Sequence, residues 1–385
     1  MKIIYIFLSS IFVISLFPKS IQMILIFIAL VGLLYLRKKI SISKRIIPFI
    51  IVGIIHFISI LVSCIIHSHD YSRIFAACNT ALIWILGGLY YSIIEKEDVD
   101  FKKINRICFI NILILTFLGI AMIVVEKIPA INDISLWGRN LMGEDWVNGQ
   151  KSMRLLAFME YANLVSMFYF LIFPFAYDYV LQSKHRGFII FFSLLSFIPV
   201  YLSGSRISKL LLIVLLYFIL INFLSNSKKR KNILIVFSIG ISILILIIFG
   251  SQIFGKISQL LNSREGSTTT RLNIYLESIN ITFKQSPIIG CGIKDYIGDY
   301  PLGSHSTYIG FFYKTGFLGF IFAIMGIFGF FKKIIKSNLC YIYKICFMLF
   351  LVMCCVEDID GANWLGILFF IIMGFYMQKI KEGDI

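Results

Sequence analysis

Charged residues are scarce in this chain of 385 residues, because they make up 15% of it while hydrophobic residues make up 59%. An ordinary soluble domain carries about 25% charged residues. One water-soluble core cannot bury so much apolar surface, so the composition excludes an ordinary soluble protein and predicts an integral membrane protein. Acids are the rarer charge, 20 against 36 lysines and arginines, which gives a net charge of +16.

Metal-type cysteine pairs and strand-type alternation are also lacking. The eight cysteines include no CxxC pair, and most lie within apolar stretches, so we interpret them as small packing residues. The apolar runs are continuous instead of alternating with polar residues. This pattern favours helices over an outer-membrane barrel.

The apolar runs have the length of membrane spans. A helix rises about 1.5 Å per residue and the hydrocarbon layer is about 30 Å thick, so a span needs about 17 to 25 residues. We predict an all-α polytopic protein, one membrane domain over residues 1–385, with about twelve transmembrane helices. The predicted spans are residues 3–17, 20–36, 46–66, 74–94, 107–125, 155–181, 187–203, 207–224, 233–250, 307–331, 339–356 and 365–378.

The positive charge is concentrated in alternate loops, for example at residues 37–45 and 228–231. Under the positive-inside rule this predicts that both termini are cytoplasmic, and it explains the net charge without nucleic acid. We read the first apolar run as an uncleaved anchor because no small-residue cleavage site follows it. Abundant Ile, Lys, Phe and Asn, with no eukaryotic targeting signal, favour a bacterial plasma membrane.

Two predicted outward loops, residues 126–154 and 251–306, are too long for simple connectors. The first contains Trp137 and Trp146 among charged residues. These rings could stack on carbohydrate, or they could form an interfacial aromatic belt. Both interpretations stay open.

The second loop contains a predicted amphipathic helix that carries Arg271. Its apolar positions recur at helical spacing; they are Leu272, Tyr275, Leu276, Ile279 and Phe283. Residues 268–270 offer capping hydroxyls, and Pro287 predicts the end of the helix. Arg271 would then lie in the first turn and add to an anion site, unless it is a solvated contact with lipid headgroups.

Other candidate residues lie where the chain meets the outer membrane face. His305, between Ser304 and Ser306, could exchange protons or donate to an anion, although a lone histidine can also be structural. Gly290 and Gly292 indicate a tight turn.

Arg154 and Arg206 are predicted at the outer ends of spans, where a charge is costly unless it is paired, hydrated or extended toward the interface. Glu160 and Asn163 would lie about two turns deeper. A carboxylate there needs a cationic partner, which Arg154 or Arg206 could provide.

These motifs, taken in order, resemble the Wzy-type polymerase and O-antigen ligase superfamily over residues 150–330. The matching elements are the stretches Arg154 to Asn163 and Ser203 to Arg206, Arg271, the stretch Ser286 to Gly292, His305 to Thr307, and Gly316 to Gly319. The pattern departs from the ligases at Ser306, where they usually carry Asn, and at Lys314, near which an acid is common.

The resemblance implies a metal-independent membrane glycosyltransferase without a cofactor. It would be a GT-C-like polysaccharide polymerase that joins undecaprenyl pyrophosphate-linked oligosaccharides at the outer face, with a flippase and a chain-length regulator of the same pathway as partners. Arg206 and Arg271 would hold the pyrophosphate. The catalytic candidates are His305, Arg206, Arg271 and Glu160, and the substrate-binding candidates are Arg154, Asn163, Arg206, Arg271 and Tyr308.

Three alternatives stay open: an O-antigen ligase or oligosaccharyltransferase on the same scaffold, a flippase or transporter of lipid-linked oligosaccharides, and a binding or scaffold protein. A transporter usually shows matching internal repeats and breaks or charges in the middle of its spans. We find no internal repeat, and the polar residues collect in two outward loops instead. Glu357, Asp358 and Asp360 could ligate a divalent metal, but we expect them to be solvated in an outward turn.

Overall fold

The computed structural model describes residues 1–36, 41–128, 134–147, 150–182, 186–224, 255, 258 and 267–383. Seven helices of this part are long and apolar enough to cross a membrane. The prediction of a polytopic α-helical membrane protein is therefore confirmed, while the number of about twelve spans stays a prediction. The span predicted at residues 233–250 and most of residues 251–266 lie outside the described residues.

Most helices of the described residues follow the apolar runs of the sequence. The described helices are α1 (Lys2–Ser9), α2 (Ile11–Leu16), α3 (Lys19–Tyr35), α4 (Ile47–Ile66), α5 (Tyr71–Ile94), α6 (Phe101–Glu126), α7 (Asn163–Leu181), α8 (Arg186–Ser196), α9 (Ile198–Leu202), α10 (Arg206–Leu224), α11 (Ser267–Gln285), α12 (Thr307–Lys336), α13 (Tyr341–Met353) and α14 (Asn363–Gly383). Single turns of 3-10 helix occur at Lys44–Ile46 and at Ile359–Gly361.

In the part of the chain that the structure describes, three short antiparallel strand pairs lie between the helices. They are β1 (Ser135–Leu136) with β2 (Arg139–Asn140), β3 (Met142–Val147) with β4 (Gln150–Leu155), and β5 (Tyr296–Ile297) with β6 (Tyr300–Pro301). The second pair is a hairpin that places Arg154 opposite Gly143.

The centre of the bundle is formed by α14, which packs against α5, α7 and α3. Both α7 and α14 are buried on nearly all sides, so most of their residues contact protein instead of lipid. Close packing depends on Gly87 of α5, where an added Cβ would lie 2.1 Å from the ring of Phe370. Such interior packing leaves little room for larger side chains.

Ion pairs lie at the two opposite ends of the helices, as the alternation of inward and outward loops predicts. At the end predicted to be cytoplasmic, Arg45 pairs with Glu95 and Lys379 pairs with Asp178. The pairs at the other end join residues of the predicted outward loops, together with Glu160 from the outer part of a predicted span: Arg139 with Glu160, Arg73 with Asp295, and Lys294 with Asp358. The second end, called here the outer end, therefore collects the candidate site residues.

The predicted span at residues 155–181 begins too early. Arg154 lies on β4 of the hairpin, and α7 begins only at Asn163. Between them the chain turns sharply, because Ala157 and Phe158 adopt left-handed φ angles of 51° and 62°. Arg154, Glu160 and Asn163 consequently lie at the outer end of the bundle, and Glu160 and Asn163 are not two turns deeper than Arg154.

Helix α12 is broken at Gly316, whose φ of 59° and ψ of −163° are not helical. The segment that follows α11, beginning at Pro287, packs against this break. Phe317 N–H donates to Pro287 C=O at 2.8 Å, and Leu318 N–H donates to Ile288 C=O at 3.0 Å. An added Cβ on Gly316 would lie 2.4 Å from the carbonyl of Ile288. Gly290 and Gly316 are therefore needed for direct contact between two backbones, more than for a simple tight turn.

Candidate active site

A cavity of about 330 Å³ opens at the outer end of the bundle. Its polar lining comes from six separate parts of the chain, and includes Lys19, Arg154, Tyr161, Asn163, Arg271, Lys294, His305, Glu357 and Asp358. The structure thus brings together four predicted site residues, Arg154, Asn163, Arg271 and His305. Arg206, Glu160 and Tyr308 do not line this cavity.

Three cations of the cavity have no carboxylate partner in the part of the chain that the structure describes. They are Lys19, Arg154 and Arg271. The Nε atom of Arg154 is also buried without a hydrogen-bond partner among these residues. Uncompensated cations are costly near a membrane and favour an anion in the cavity. Arginine forks match phosphate oxygens two at a time and remain charged at any physiological pH.

Glu357 is the carboxylate of the cavity that no lysine or arginine pairs with in the described chain, and it is only 4% exposed. Its backbone carbonyl accepts hydrogen bonds from the Thr307 N–H at 3.0 Å and hydroxyl at 2.7 Å, which fixes the residue at the start of α12. The Asn163 amide donates to its Oε2 atom. Burial raises the pKa of Glu357 to about 7, against the opposing effects of Asn163 and Arg271.

His305 faces Glu357 across a gap of 3.8 Å between Nδ1 and Oε1. Its backbone has a left-handed φ of 58°, and its carbonyl accepts a hydrogen bond from the Tyr275 hydroxyl at 2.5 Å. Burial and the charge of Arg271 lower the pKa of His305 to about 4, so the ring is neutral at pH 7.

The gap between these two side chains is too long for a direct hydrogen bond. The Nδ1 atom of His305 is buried without a hydrogen-bond partner among the described residues. A substrate hydroxyl placed beside both atoms could bond to His305 and Glu357 together. A carboxyl group with a pKa near the working pH is suited to take the proton from such a hydroxyl.

The acidic turn is buried, and the expectation that its three acids are solvated is wrong. Asp358 pairs with Lys294 at 2.7 Å, and its carbonyl accepts a hydrogen bond from the Tyr161 hydroxyl at 2.9 Å. Asp360 pairs with Lys314 at 2.6 Å. The turn folds back against the start of α12, so its three acids are almost fully buried.

Lys314 thus has a carboxylate partner at the position where this sequence departs from the resembling family. Burial favours the neutral acid, but the charges of Lys314 and Lys294 outweigh it and hold the pKa of Asp360 below its usual value. Within the described residues, no group of three His, Cys, Asp or Glu side chains is arranged to hold a metal ion.

Glu160 is paired, but with neither Arg154 nor Arg206, so that part of the prediction is wrong. Its Oε1 atom accepts from Arg139 at 3.2 Å and from Gln22 at 2.9 Å, and Oε2 accepts from the Trp364 indole at 3.1 Å. The β1–β2 hairpin places Arg139 over the turn before α7, nearer than either predicted partner. The catalytic role of Glu160 stays a prediction, although both oxygens are engaged.

Arg206 and Tyr308 lie near the cavity without lining it. Arg206 begins α10, and its charge interacts with those of Arg271 and Asp145. The Tyr308 hydroxyl donates to the Leu351 carbonyl at 3.1 Å. Their substrate-binding roles stay predictions.

The predicted loop helix exists as α11, and Pro287 follows its end as predicted. The side of α11 that packs against the protein is different from the side that carries the predicted apolar positions. Its buried positions include Ile274, Ser278 and Thr282, whereas Leu272 and Leu276 are 53% and 58% exposed. The Ser278 hydroxyl accepts from Gly303 N–H at 2.8 Å and ties the helix to the loop before α12.

The helix α11 also begins earlier than predicted. Its first residue is Ser267, so Arg271 is the fifth residue and lies beyond the first turn. Arg271 therefore reaches the cavity from the second turn, and the threonines predicted as caps lie within the first.

Both tryptophans of the first outward loop are exposed and outside the cavity. Trp137 stacks on Phe17 with ring centroids 5.2 Å apart, and Trp146 projects from β3. Neither contact decides between carbohydrate stacking and an aromatic belt.

The fold and the cavity define a polytopic membrane protein with a cationic site at one end of its bundle. Residues 191–324 match the family model of the O-antigen ligase, which confirms the resemblance seen in the motifs. The matched stretch is about one third of the chain and includes Arg206, Arg271, His305 and Tyr308, while Arg154 and Glu357 lie outside it. No curated protein matches the chain.

The family match indicates a function of the O-antigen ligase or polymerase type, with glycosyltransferase-like activity in a membrane. Glu357 is a residue of the cavity that sequence reasoning missed, because it was expected in a solvated turn. One signal could have pointed to its turn, because a lysine within an apolar run, Lys314, needs a buried acid nearby.

Proposed function

We propose that this protein is a surface-polysaccharide polymerase of a bacterial plasma membrane. It would join undecaprenyl pyrophosphate-linked oligosaccharide repeat units of a capsule or O-antigen at the outer membrane face. The observation that supports this most directly is the combination of three uncompensated cations with one buried carboxylate whose pKa is near 7. A ligase of the same superfamily would use the same cavity and differ in its acceptor.

The cations would bind the pyrophosphate of the donor chain. A hydroxyl oxygen of the acceptor sugar attacks the anomeric carbon of the donor, and the bond from that carbon to the pyrophosphate oxygen breaks. The departing pyrophosphate gains negative charge, which Arg154, Arg271 and Lys19 stabilise. Losing one preorganised donor to developing charge typically costs about 100-fold to about 1000-fold in rate.

Glu357 would act as the general base. It accepts the proton of the attacking hydroxyl, while neutral His305 orients that hydroxyl through Nδ1. Glu160 is less suited because both of its oxygens already accept hydrogen bonds from protein side chains. Pyrophosphate is a good leaving group, so the mechanism needs no general acid.

The test uses the purified protein in liposomes with lipid-linked repeat units extracted from cells that lack the protein. We expect a ladder of longer chains, and a loss of at least about 100-fold in its rate for Arg271→Gln. Lys284→Gln is the matched control, because Lys284 is an exposed cation on the same helix outside the cavity.

An unchanged ladder in Arg271→Gln would contradict the pyrophosphate role. Transfer of the repeat unit to a different glycolipid, without a ladder, would identify a ligase. Movement of the repeat unit across the bilayer without any new glycosidic bond would identify a flippase.

A further inference from the structure

A second cavity, of about 560 Å³, adjoins the first at the outer end. It lies between α3, α5, the segment after Gly292 and the buried acidic turn. Both cavities are lined by Lys19, Lys294, Pro301 and Gly361, so they share a wall. The volume falls within the range of about 300 to 1,000 Å³ that is typical of small-ligand sites.

The charge balance of the second cavity differs from that of the first. Apart from Lys19 in the shared wall, each of its cations has a carboxylate partner. The pairs are Arg73 with Asp295 at 3.0 Å, Lys294 with Asp358 at 2.7 Å and Lys314 with Asp360 at 2.6 Å. A cavity with balanced charge favours a neutral ligand over a pyrophosphate.

Two polar groups of the second cavity are available to a ligand. The Oδ1 atom of Asp360 is buried and has no hydrogen-bond partner in the described chain, although buried polar groups are normally hydrogen-bonded. Asn79 of α5 is 8% exposed and lines the cavity, where its amide offers two donors and one acceptor. The two groups together suit a ligand that donates and accepts hydrogen bonds.

His56 adds a third group to this cavity. Its Nε2 atom donates to the Gly292 carbonyl at 2.8 Å, which leaves Nδ1 as an acceptor. Tyr296 adds an aromatic face at the cavity, with the Arg73 guanidinium 5.5 Å from its ring centroid. Amide, imidazole, carboxylate and aromatic groups together suit a sugar, which presents hydroxyls at its edges and C–H groups on its faces.

We infer that the second cavity binds the saccharide end of the acceptor, and this inference rests on the proposed function. Asn79, His56 and Asp360 hold hydroxyls of the acceptor sugar. The sugar extends past the wall formed by Lys19 and Lys294, so that its reactive hydroxyl reaches Glu357. The pyrophosphate of the donor occupies the first cavity, where the cations are uncompensated.

The test measures the binding of two probes to the purified protein. The saccharide probe is the oligosaccharide released by mild acid from the lipid-linked unit that accumulates in cells lacking this protein. The anion probe is geranyl pyrophosphate, which carries no sugar. Asn79→Leu removes the amide at nearly the same side-chain volume, and Arg271→Gln removes a cation of the first cavity.

We expect Asn79→Leu to weaken saccharide binding about tenfold and to leave geranyl pyrophosphate binding unchanged. Arg271→Gln should show the reverse pattern. Unchanged binding of the anion probe also shows that the Asn79 variant is folded. Thr80→Val changes the adjacent residue of the cavity lining and provides a second test of saccharide binding at this position.

Saccharide binding that Asn79→Leu and Thr80→Val leave unaltered would overturn this inference, and so would a failure of the wild-type protein to bind the saccharide. Neither result contradicts the proposal that the first cavity binds pyrophosphate. Geranyl pyrophosphate binding that is insensitive to Arg271→Gln would instead refute the proposed function, whatever the saccharide does.

Discussion

Replacing Glu357 by glutamine tests the catalytic proposal most directly. Glutamine has nearly the same shape as glutamate but cannot take a proton from the acceptor hydroxyl. Because burial raises the pKa of Glu357 to about 7, the base form makes up about 9% of the wild-type protein at pH 6 and about 91% at pH 8. The rate of ladder formation should therefore rise about tenfold between these pH values.

The assay measures initial rates of ladder formation in liposomes from about pH 5.5 to about pH 8.5, with saturating lipid-linked repeat units. Glu357→Gln should lose this pH-dependent increase together with most of the rate. His305 contributes no step in this range, because its pKa is about 4. A midpoint near the ordinary glutamate pKa, or a Glu357→Gln protein that keeps the increase, would refute the reasoning.

Arg271 supplies a second check on the same carboxyl group. Its positive charge favours ionised Glu357 and lowers the pKa of that residue. Arg271→Gln should therefore move the midpoint of the pH profile to higher pH, in addition to slowing the reaction. Lys284→Gln should leave the midpoint unchanged. A midpoint that moves to lower pH in Arg271→Gln would have the wrong sign for this electrostatic account.

The same pKa predicts a change in stability with pH. Glu357 binds its proton more tightly in the folded protein, so its contribution is fully present below about pH 4.5 and is lost as pH rises through about 7. The loss is at most about 3 kcal/mol. In detergent, the wild-type Tm should fall over this window more than the Tm of Glu357→Gln, and parallel curves would contradict the assignment.

Three further predictions concern the residues that support the cavity. Gly316→Ala should strongly lower the Tm because its left-handed backbone and close backbone contact exclude a Cβ, whereas Gly329→Ala on the same helix meets nothing within 4 Å and should be tolerated. Asp360→Asn should destabilise the protein by about 3 to 5 kcal/mol, since it leaves Lys314 buried and unpaired, and a loss below about 1 kcal/mol in thermal unfolding would argue against that pair. Glu160→Gln should lower the Tm but keep the pH midpoint of ladder formation, and a shifted midpoint would restore Glu160 as a candidate base.

Local patterns in the sequence were sufficient to predict the helices and to assign the loops between them to the two ends of the bundle. Apolar length and loop charge are properties of short segments, so they predicted α4, α5, α10 and α14 within a few residues. The family resemblance likewise depended on short motifs. It pointed to Arg271 and His305, which the structure places in one cavity.

The hairpin and the buried acidic turn depend on contacts between distant parts of the chain. Arg154 lies on β4 because its strand pairs with β3, and an apolar run continuing into α7 concealed that pairing. Asp358 is buried because Lys294, on a different loop, reaches it. Hydropathy treats each of these segments alone, so it assigned Arg154 to a helix end and Asp358 to solvent.

The break in α12 explains why one acid of the turn, Glu357, is not paired with a lysine in the described chain. Packing of Gly290 against Gly316 fixes the segment that carries Lys294 beside the segment that carries Lys314. These lysines neutralise Asp358 and Asp360 in the region between the two cavities.

Glu357 receives no lysine in the described chain and instead meets Asn163 and neutral His305. Burial without a paired cation is the condition that raises a carboxyl pKa toward neutrality. The same backbone contact that breaks α12 therefore pairs two acids of the turn with lysines and leaves the third with the pKa of a base.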